Sequence, residues 1–148
     1  MKENSIRRAV REGRAALGTG LKEFASRGVP WIIEASGFDY CMIDHEHGAF
    51  DLETIADLAG WFQATNVSAI VRIHKSFTYL IPAILDQGIM GVQVSEVDNA
   101  EEARAIAREA KRDASALPCS RPTESAKSRH QQPAPFLRHW SGSTTIPP

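Results

Sequence analysis

Five consecutive residues, Asp44-His45-Glu46-His47-Gly48, bring two imidazoles and two carboxylates together. Such a group can move protons near neutral pH or hold a metal ion. It follows Tyr40-Cys41-Met42-Ile43, a short apolar, partly β-branched stretch that reads as a buried strand. Four polar residues cannot carry that strand on into a core, because unpaired buried charge costs too much. They must emerge at a surface or line a cleft. Taken alone, the run leaves three readings open: a solvated turn, an acid–base site, or a zinc site. In the zinc reading His45 and His47, alternate residues of an extended segment, share a face.

The elements that must position these residues alternate. A short helix over about residues 5–12 is capped by Asn4 and stopped by Gly13. Leu17 to Leu21 is a weak strand, and Val29 to Ala35 a short helix with Pro30 near its start. Tyr40 to Ile43 is the second strand. Asp51 then caps a helix carrying Leu52, Ile55, Leu58, Ala59 and Phe62 on one side. Ser68 to Ile73 is the third strand, with Arg72, His74 and Lys75 at its polar end. A helix from about Thr78 to Gln87 follows, mildly interrupted by Pro82 and closed by Gly88. Gly91 to Val94 is the fourth strand, ending at Ser95-Glu96. Asn99 and Glu102 have the spacing of a capping box, and Ala103, Ile106, Ala107 and Ala110 form the stripe expected to be buried.

Strand starts at Leu17, Tyr40, Ala69 and Gly91 lie 23, 29 and 22 residues apart, the alternation of βα units around a parallel sheet. In such folds chemistry gathers at the carboxyl ends of the strands. Three strands here end in polar residues on that side: Asp44 to His47, Arg72 with His74, and Ser95-Glu96.

Composition narrows the function classes. A formal net charge of −1 over 148 residues excludes a general nucleic-acid binder. No apolar run is long enough to span a bilayer, and the first residues lack an apolar signal core. Cys41 and Cys119, the 2 cysteines, make neither a metal spacing nor a disulfide framework, as expected in a reducing cytoplasm. Composition breaks near Lys111. Residues 1–111 hold 12 Lys/Arg and 16 Asp/Glu; residues 112–148 hold the remaining 5 and 2, with six of the 8 prolines. The segment 112–148 has no periodicity and too little apolar surface to offset its ordering entropy, so it is expected to be disordered.

Gly37-Phe38-Asp39-Tyr40-Cys41-Met42-Ile43-Asp44-His45-Glu46-His47-Gly48 resembles the Gly-Phe-Asp…Ile-Asp-x-Glu-His-Gly signature of the HpcH/HpaI aldolase family, related to the citrate lyase β-subunit. Val71-Arg72 resembles that family's Val-Arg element. Leu85-Asp86-Gln87-Gly88 through Val97-Asp98-Asn99-Ala100-Glu101-Glu102-Ala103 resembles its fourth βα unit. The likeness covers roughly residues 13–111. It implies an α/β chain holding the N-terminal half of a (β/α)8 barrel, about four βα units. It implies reversible metal-dependent aldol cleavage of a 4-hydroxy-2-oxoacid to pyruvate and an aldehyde, with Mg²⁺, Mn²⁺ or Co²⁺ as cofactor. Carried over by position, His47 is the general base or acid, Asp44 holds and polarises its imidazole, and Arg72 binds the pyruvate end of the substrate. The partner is then a small-molecule 2-oxoacid, with neither nucleic acid nor membrane involved. The family is commonly hexameric, so self-association is expected.

The residue types suit that chemistry. Breaking a C–C bond beside a carbinol needs a base poised near neutral pH and a sink for the electrons. A forked, permanently charged guanidinium matches a carboxylate or enolate. The likeness ends after Lys111. The family takes its metal-binding Glu and Asp from the fifth and sixth strands, which the chain does not provide; a full barrel needs roughly 250 residues. The sequence from about residue 112 is expected to be out-of-frame translation, a point the coding DNA decides. The expectation is an aldolase impaired by truncation; its rival is a non-catalytic fragment, or an interaction or pseudogene product of an aldolase. Lys75 as a Schiff-base lysine and Glu96 as a site residue are weaker candidates beside ordinary loop roles.

Overall fold

The computed structural model describes residues 2–111; the expected disordered tail at 112–148 lies outside the described residues. Four parallel strands run β1 (Gly18–Leu21), β2 (Tyr40–Asp44), β3 (Ser68–His74) and β4 (Val92–Ser95), and they pair in sequence order. Helix α1 (Ser5–Arg11) precedes them. Helices α2 (Val29–Ala35), α3 (Leu52–Phe62) and α4 (Ile81–Asp86) connect them, and α5 (Ala100–Ala110) follows. The spacing of the apolar runs implied the parallel βα units; the partial, unclosed (β/α)8-like barrel they form is what the family resemblance implied.

Alternation along the strands divides the sheet into two faces. Cys41, Ile43, Ala69, Val71 and Ile73 are buried against Val29, Ile33, Ile55, Leu58, Phe62, Ile81 and Ile84 of the helices, forming one core. Tyr40, Met42, Ile70 and Arg72 point the other way and are only half-buried. On that face Gly18, Gly20, Tyr40, Met42, Ile70 and Gln93 line a depression of about 470 Å³. A Cβ at Gly18 would fall 2.1 Å from the Tyr40 ring, so any larger residue there would push that ring aside.

The amino ends of the strands are closed by the first residues of the chain. Lys2 Nζ donates to the carbonyls of Phe62 and Val67 at 2.6 and 2.7 Å. The Ser5 amide donates to Ser68 Oγ at 2.9 Å. Arg14 grips both oxygens of Asp39 at 2.6 and 2.7 Å. In barrels of this type that end supports stability and leaves the opposite rim for function.

Two helices differ from expectation. The segment after β3 is a 3-10 turn over Lys75–Leu80, and α4 begins only at Ile81. Pro82 therefore sits in the first turn of α4, where its missing N–H costs nothing, and starts the helix rather than interrupting one. In α5 the half-buried row is Glu102, Ile106 and Glu109, while Ala103, Ala107 and Ala110 are exposed. The stripe expected to be buried is thus mostly open. α5 lies against α4 and the Lys75–Leu80 turn on one side, and among the described residues no strand pairs with the outer edge of β4. The capping box is also displaced. Asn99 accepts from the amides of Glu101 and Glu102, but Glu102 accepts from Asp98 N rather than from Asn99 N. The caps Asn4 and Asp51 and the stops Gly13 and Gly88 are as expected, both glycines at positive φ.

Candidate active site

The carboxyl ends of β2, β3 and β4 place their polar residues at one rim. Asp44 closes β2 directly beside Arg72 of β3 in the strand register. It is fully buried. Its Oδ1 accepts from Arg72 Nε at 3.0 Å and from the amides of Glu46 and His47, each at 3.1 Å. Its Oδ2 accepts from Arg72 Nη2 and lies 3.6 Å from Lys22 Nζ. Burial pushes the Asp44 carboxyl up, but the Arg72 hydrogen bonds and the loop amides outweigh it and hold the group at about 2. In turn its hydrogen bonds raise the Arg72 guanidinium above its usual value. The pair is a fixed ionic platform at the sheet's end.

Asp44 therefore does not hold the His47 imidazole. Its carboxylate is taken by Arg72 and by the backbone of the turn it starts, the competition expected of a short acidic side chain. Glu46 lies nearer the imidazole: Oε1 is 3.7 Å from His47 Nε2 and 2.7 Å from Ser95 Oγ, which donates to it. Glu46 Oε2 is 3.4 Å from Arg72 Nε. The Glu46 carboxylate is 7% exposed, whereas His47 is 65% exposed and free to meet a ligand. Gly48 lets the turn double back, since a Cβ there would fall 2.0 Å from the Asp44 carbonyl oxygen. The next amide, of Ala49, donates to the Lys22 carbonyl at 2.9 Å and ties the turn to β1.

His45 points away from this group. Its Nδ1 donates to the Phe50 carbonyl at 2.8 Å, and its ring meets Phe77 edge-on. His45 and His47 thus do not share a metal. Among the described residues no group of three or more His, Cys, Asp and Glu side chains could hold an ion. With Asp44 committed to Arg72 and Glu46 to Ser95, the residues at this rim do not fit a divalent cation.

At the end of β3, His74 Nδ1 accepts from the Ser76 amide at 3.2 Å, which leaves the proton on Nε2 to donate to Glu96 at 3.0 Å. Glu96 sits at φ 56°, the only non-glycine at positive φ among the described residues. Lys75 is ion-paired with Asp98, which holds its ammonium above the usual value. That is the opposite of what a Schiff-base nucleophile needs. Sequence reasoning placed Ser95 at the polar end of the fourth strand without giving it a role, and passed over Lys22. Lys22 is the first polar residue after β1, and that position alone could have marked it.

The family model for HpcH/HpaI aldolase/citrate lyase matches residues 30–117, more than half of the chain. The chain belongs to this family. Relatives include a 4-hydroxy-2-oxovalerate aldolase of Novosphingobium aromaticivorans, 36% identical over 104 residues, covering 70% of this chain and 39% of the relative. A hydroxypyruvate/pyruvate aldolase of Agrobacterium fabrum is 31% identical over 101 residues, covering 68% of this chain and 38% of the relative. The crystal structure of an HpcH/HpaI aldolase from Desulfitobacterium hafniense superimposes with a TM-score of 0.65 at 26% identity, covering 74% of this chain and 42% of that one. Citrate synthase SbnG gives 0.64 at 26% identity, covering 86% and 51%. The chain thus spans about two fifths of the length of the curated relatives it matches. No helix among the described residues is long and apolar enough to cross a membrane.

Proposed function

We propose that residues 1–111 carry the proton-transfer and oxoacid-binding half of a pyruvate aldolase site, acting on a 4-hydroxy-2-oxoacid in the cytoplasm. The observation that carries this reading is the convergence of Asp44, Glu46, His47 and Arg72 at one rim of the parallel strands. Arg72 is oriented by Asp44 through Nε and Nη2, which leaves Nη1 for the substrate carboxylate or the enolate oxygen. His47, exposed beside it, takes the C4 hydroxyl proton through water. The C–O bond then becomes the aldehyde carbonyl, the C3–C4 bond breaks, and its electron pair forms the pyruvate enolate. Protonation at C3 releases pyruvate. The divalent metal of the family supplies electrophilic stabilisation of that enolate when bound. The residues at this rim do not fit it, so the chain is an impaired aldolase.

The purified 148-residue chain with Mg²⁺, Mn²⁺ or Co²⁺ and a 4-hydroxy-2-oxoacid should release pyruvate slowly, read by coupled lactate dehydrogenase. His47→Ala and Arg72→Ala should each abolish the release. A rate that survives both variants refutes the assignment. The edges of β1 and β4, unpaired among the described residues, and the exposed alanines of α5 favour a second reading, a non-catalytic product that self-associates through those edges. A background-level rate together with a concentration-dependent oligomer selects it.

A further inference from the structure

We infer that Glu46 is the carboxylate partner of the His47 imidazole, and that Ser95 is the positioning residue that aims it. The inference rests on His47 being the base of the proposed site, and it assigns the atom that acts. Three strands converge on Glu46: its own turn after β2, Arg72 from β3 and Ser95 from β4. The carboxylate is almost fully buried, so its orientation is set by these neighbours rather than by water. Ser95 Oγ, at 2.7 Å, is the only neutral donor on it among the described residues and fixes Oε1. That same oxygen faces His47 Nε2 at 3.7 Å, within ion-pair range but beyond a hydrogen bond. A modest rotation of the exposed imidazole closes the gap.

The consequence concerns protonation geometry. A carboxylate facing Nε2 holds the proton on that nitrogen and turns the lone pair of Nδ1 toward solvent, so Nδ1 is the basic atom. When Nδ1 takes a substrate proton, the imidazolium stands against the Glu46 charge. Asp44, which touches the same residue only through its amide, contributes the path of the turn. Lys22 and Arg72 are the cations nearest these carboxylates: both face Asp44, and Arg72 Nε also lies 3.4 Å from Glu46 Oε2.

The test is the tautomer of His47 in the full chain, read by long-range ¹H–¹⁵N spectra of ¹⁵N-histidine-labelled protein at mildly alkaline pH. It needs no turnover, so it stands or falls separately from the aldolase reading. The expected spectrum shows Nε2 protonated and Nδ1 unprotonated. Glu46→Ala should move the ring toward the tautomer mixture of free imidazole. Ser95→Ala should move it the same way by less, and Ser95→Thr, which keeps the hydroxyl, should restore it. A merely structural Ser95 would leave the His47 ring signals unmoved. If Glu46→Ala fails to fold, Ser95→Ala, which removes a single oxygen, decides alone. An unchanged tautomer ratio in the folded variants overturns the inference, as does failure of Ser95→Thr to rescue.

Discussion

Replacing Asp44 by asparagine separates the ionic platform from the turn it organises. Asparagine keeps an oxygen for the amides of Glu46 and His47 but offers Arg72 no charge. Asp44 is fully buried, so its interactions are little screened by solvent. A carboxyl held at about 2 against an ordinary 3.8 contributes about 2 kcal/mol, at roughly 1.4 kcal/mol per tenfold in proton affinity. Its folded-state value is depressed, so the unfolded chain binds the proton more tightly. The stabilisation is therefore complete above 3.8 and is lost as pH falls from there to about 2. Arg72 is 21% exposed and partly rehydrates when left alone. The cost at neutral pH is thus about 2–3 kcal/mol, at or below the low end for breaking a buried pair. Urea unfolding of the wild-type chain and Asp44→Asn across this range is the assay. The gap between the two should be widest near neutrality and close in acid. Asp39, held at about 2 chiefly by its hydrogen bonds from Arg14, titrates in the same range but is present in both chains and cancels. A gap that stays constant as pH falls would refute the argument.

Gly48→Ala places a Cβ 2.0 Å from a backbone oxygen that cannot rotate away, so it should cost more than about 2 kcal/mol in urea unfolding and displace Glu46 and His47. Leu58→Ala empties a fully buried position between α3 and the sheet; thermal or urea unfolding should show a loss of about 2–5 kcal/mol. Asn99→Ala removes the acceptor for two amides at the start of α5, costing about 1 kcal/mol and raising hydrogen exchange at Glu101 and Glu102.

Much of the fold was legible because each apolar run in β2, β3 and β4 stops at polar residues, which fixes both the strand and its functional end. What escaped depended on partners distant in the chain. The stripe of α5 could be read as a periodicity, but burial needs a neighbour, and the side facing α4 carries Glu102, Ile106 and Glu109 instead. Pro82 gave the right residue and the wrong consequence, because whether it breaks or begins a helix depends on the turn before it. The family resemblance implied a side-chain contact between Asp44 and His47; an acidic residue starting a turn uses its oxygens on amides first. Ser95 and Glu46 are 49 residues apart, and only the ordering of β2, β3 and β4 brings them together.

That ordering also bears on how the proposed site, with two buried carboxylates, would bind an anion. Asp44 and Glu46 carry two negative charges, Arg72 and Lys22 two positive ones, so the rim is balanced before a 2-oxoacid arrives. An anion gains nothing from a balanced cluster unless the charges are separated in space. Separation is what the strand ends achieve. Asp44, fully buried, sits at the base of the rim, while Lys22 at 54% exposed and Arg72 at 21% reach outward from it. The positive ends face the solvent side, where they remain available, and the negative ones are screened behind them. His47 is exposed, and Glu46 beside it is buried. On the proposed reading, an entering oxoacid would meet Arg72, Lys22 and the imidazole before it met either carboxylate.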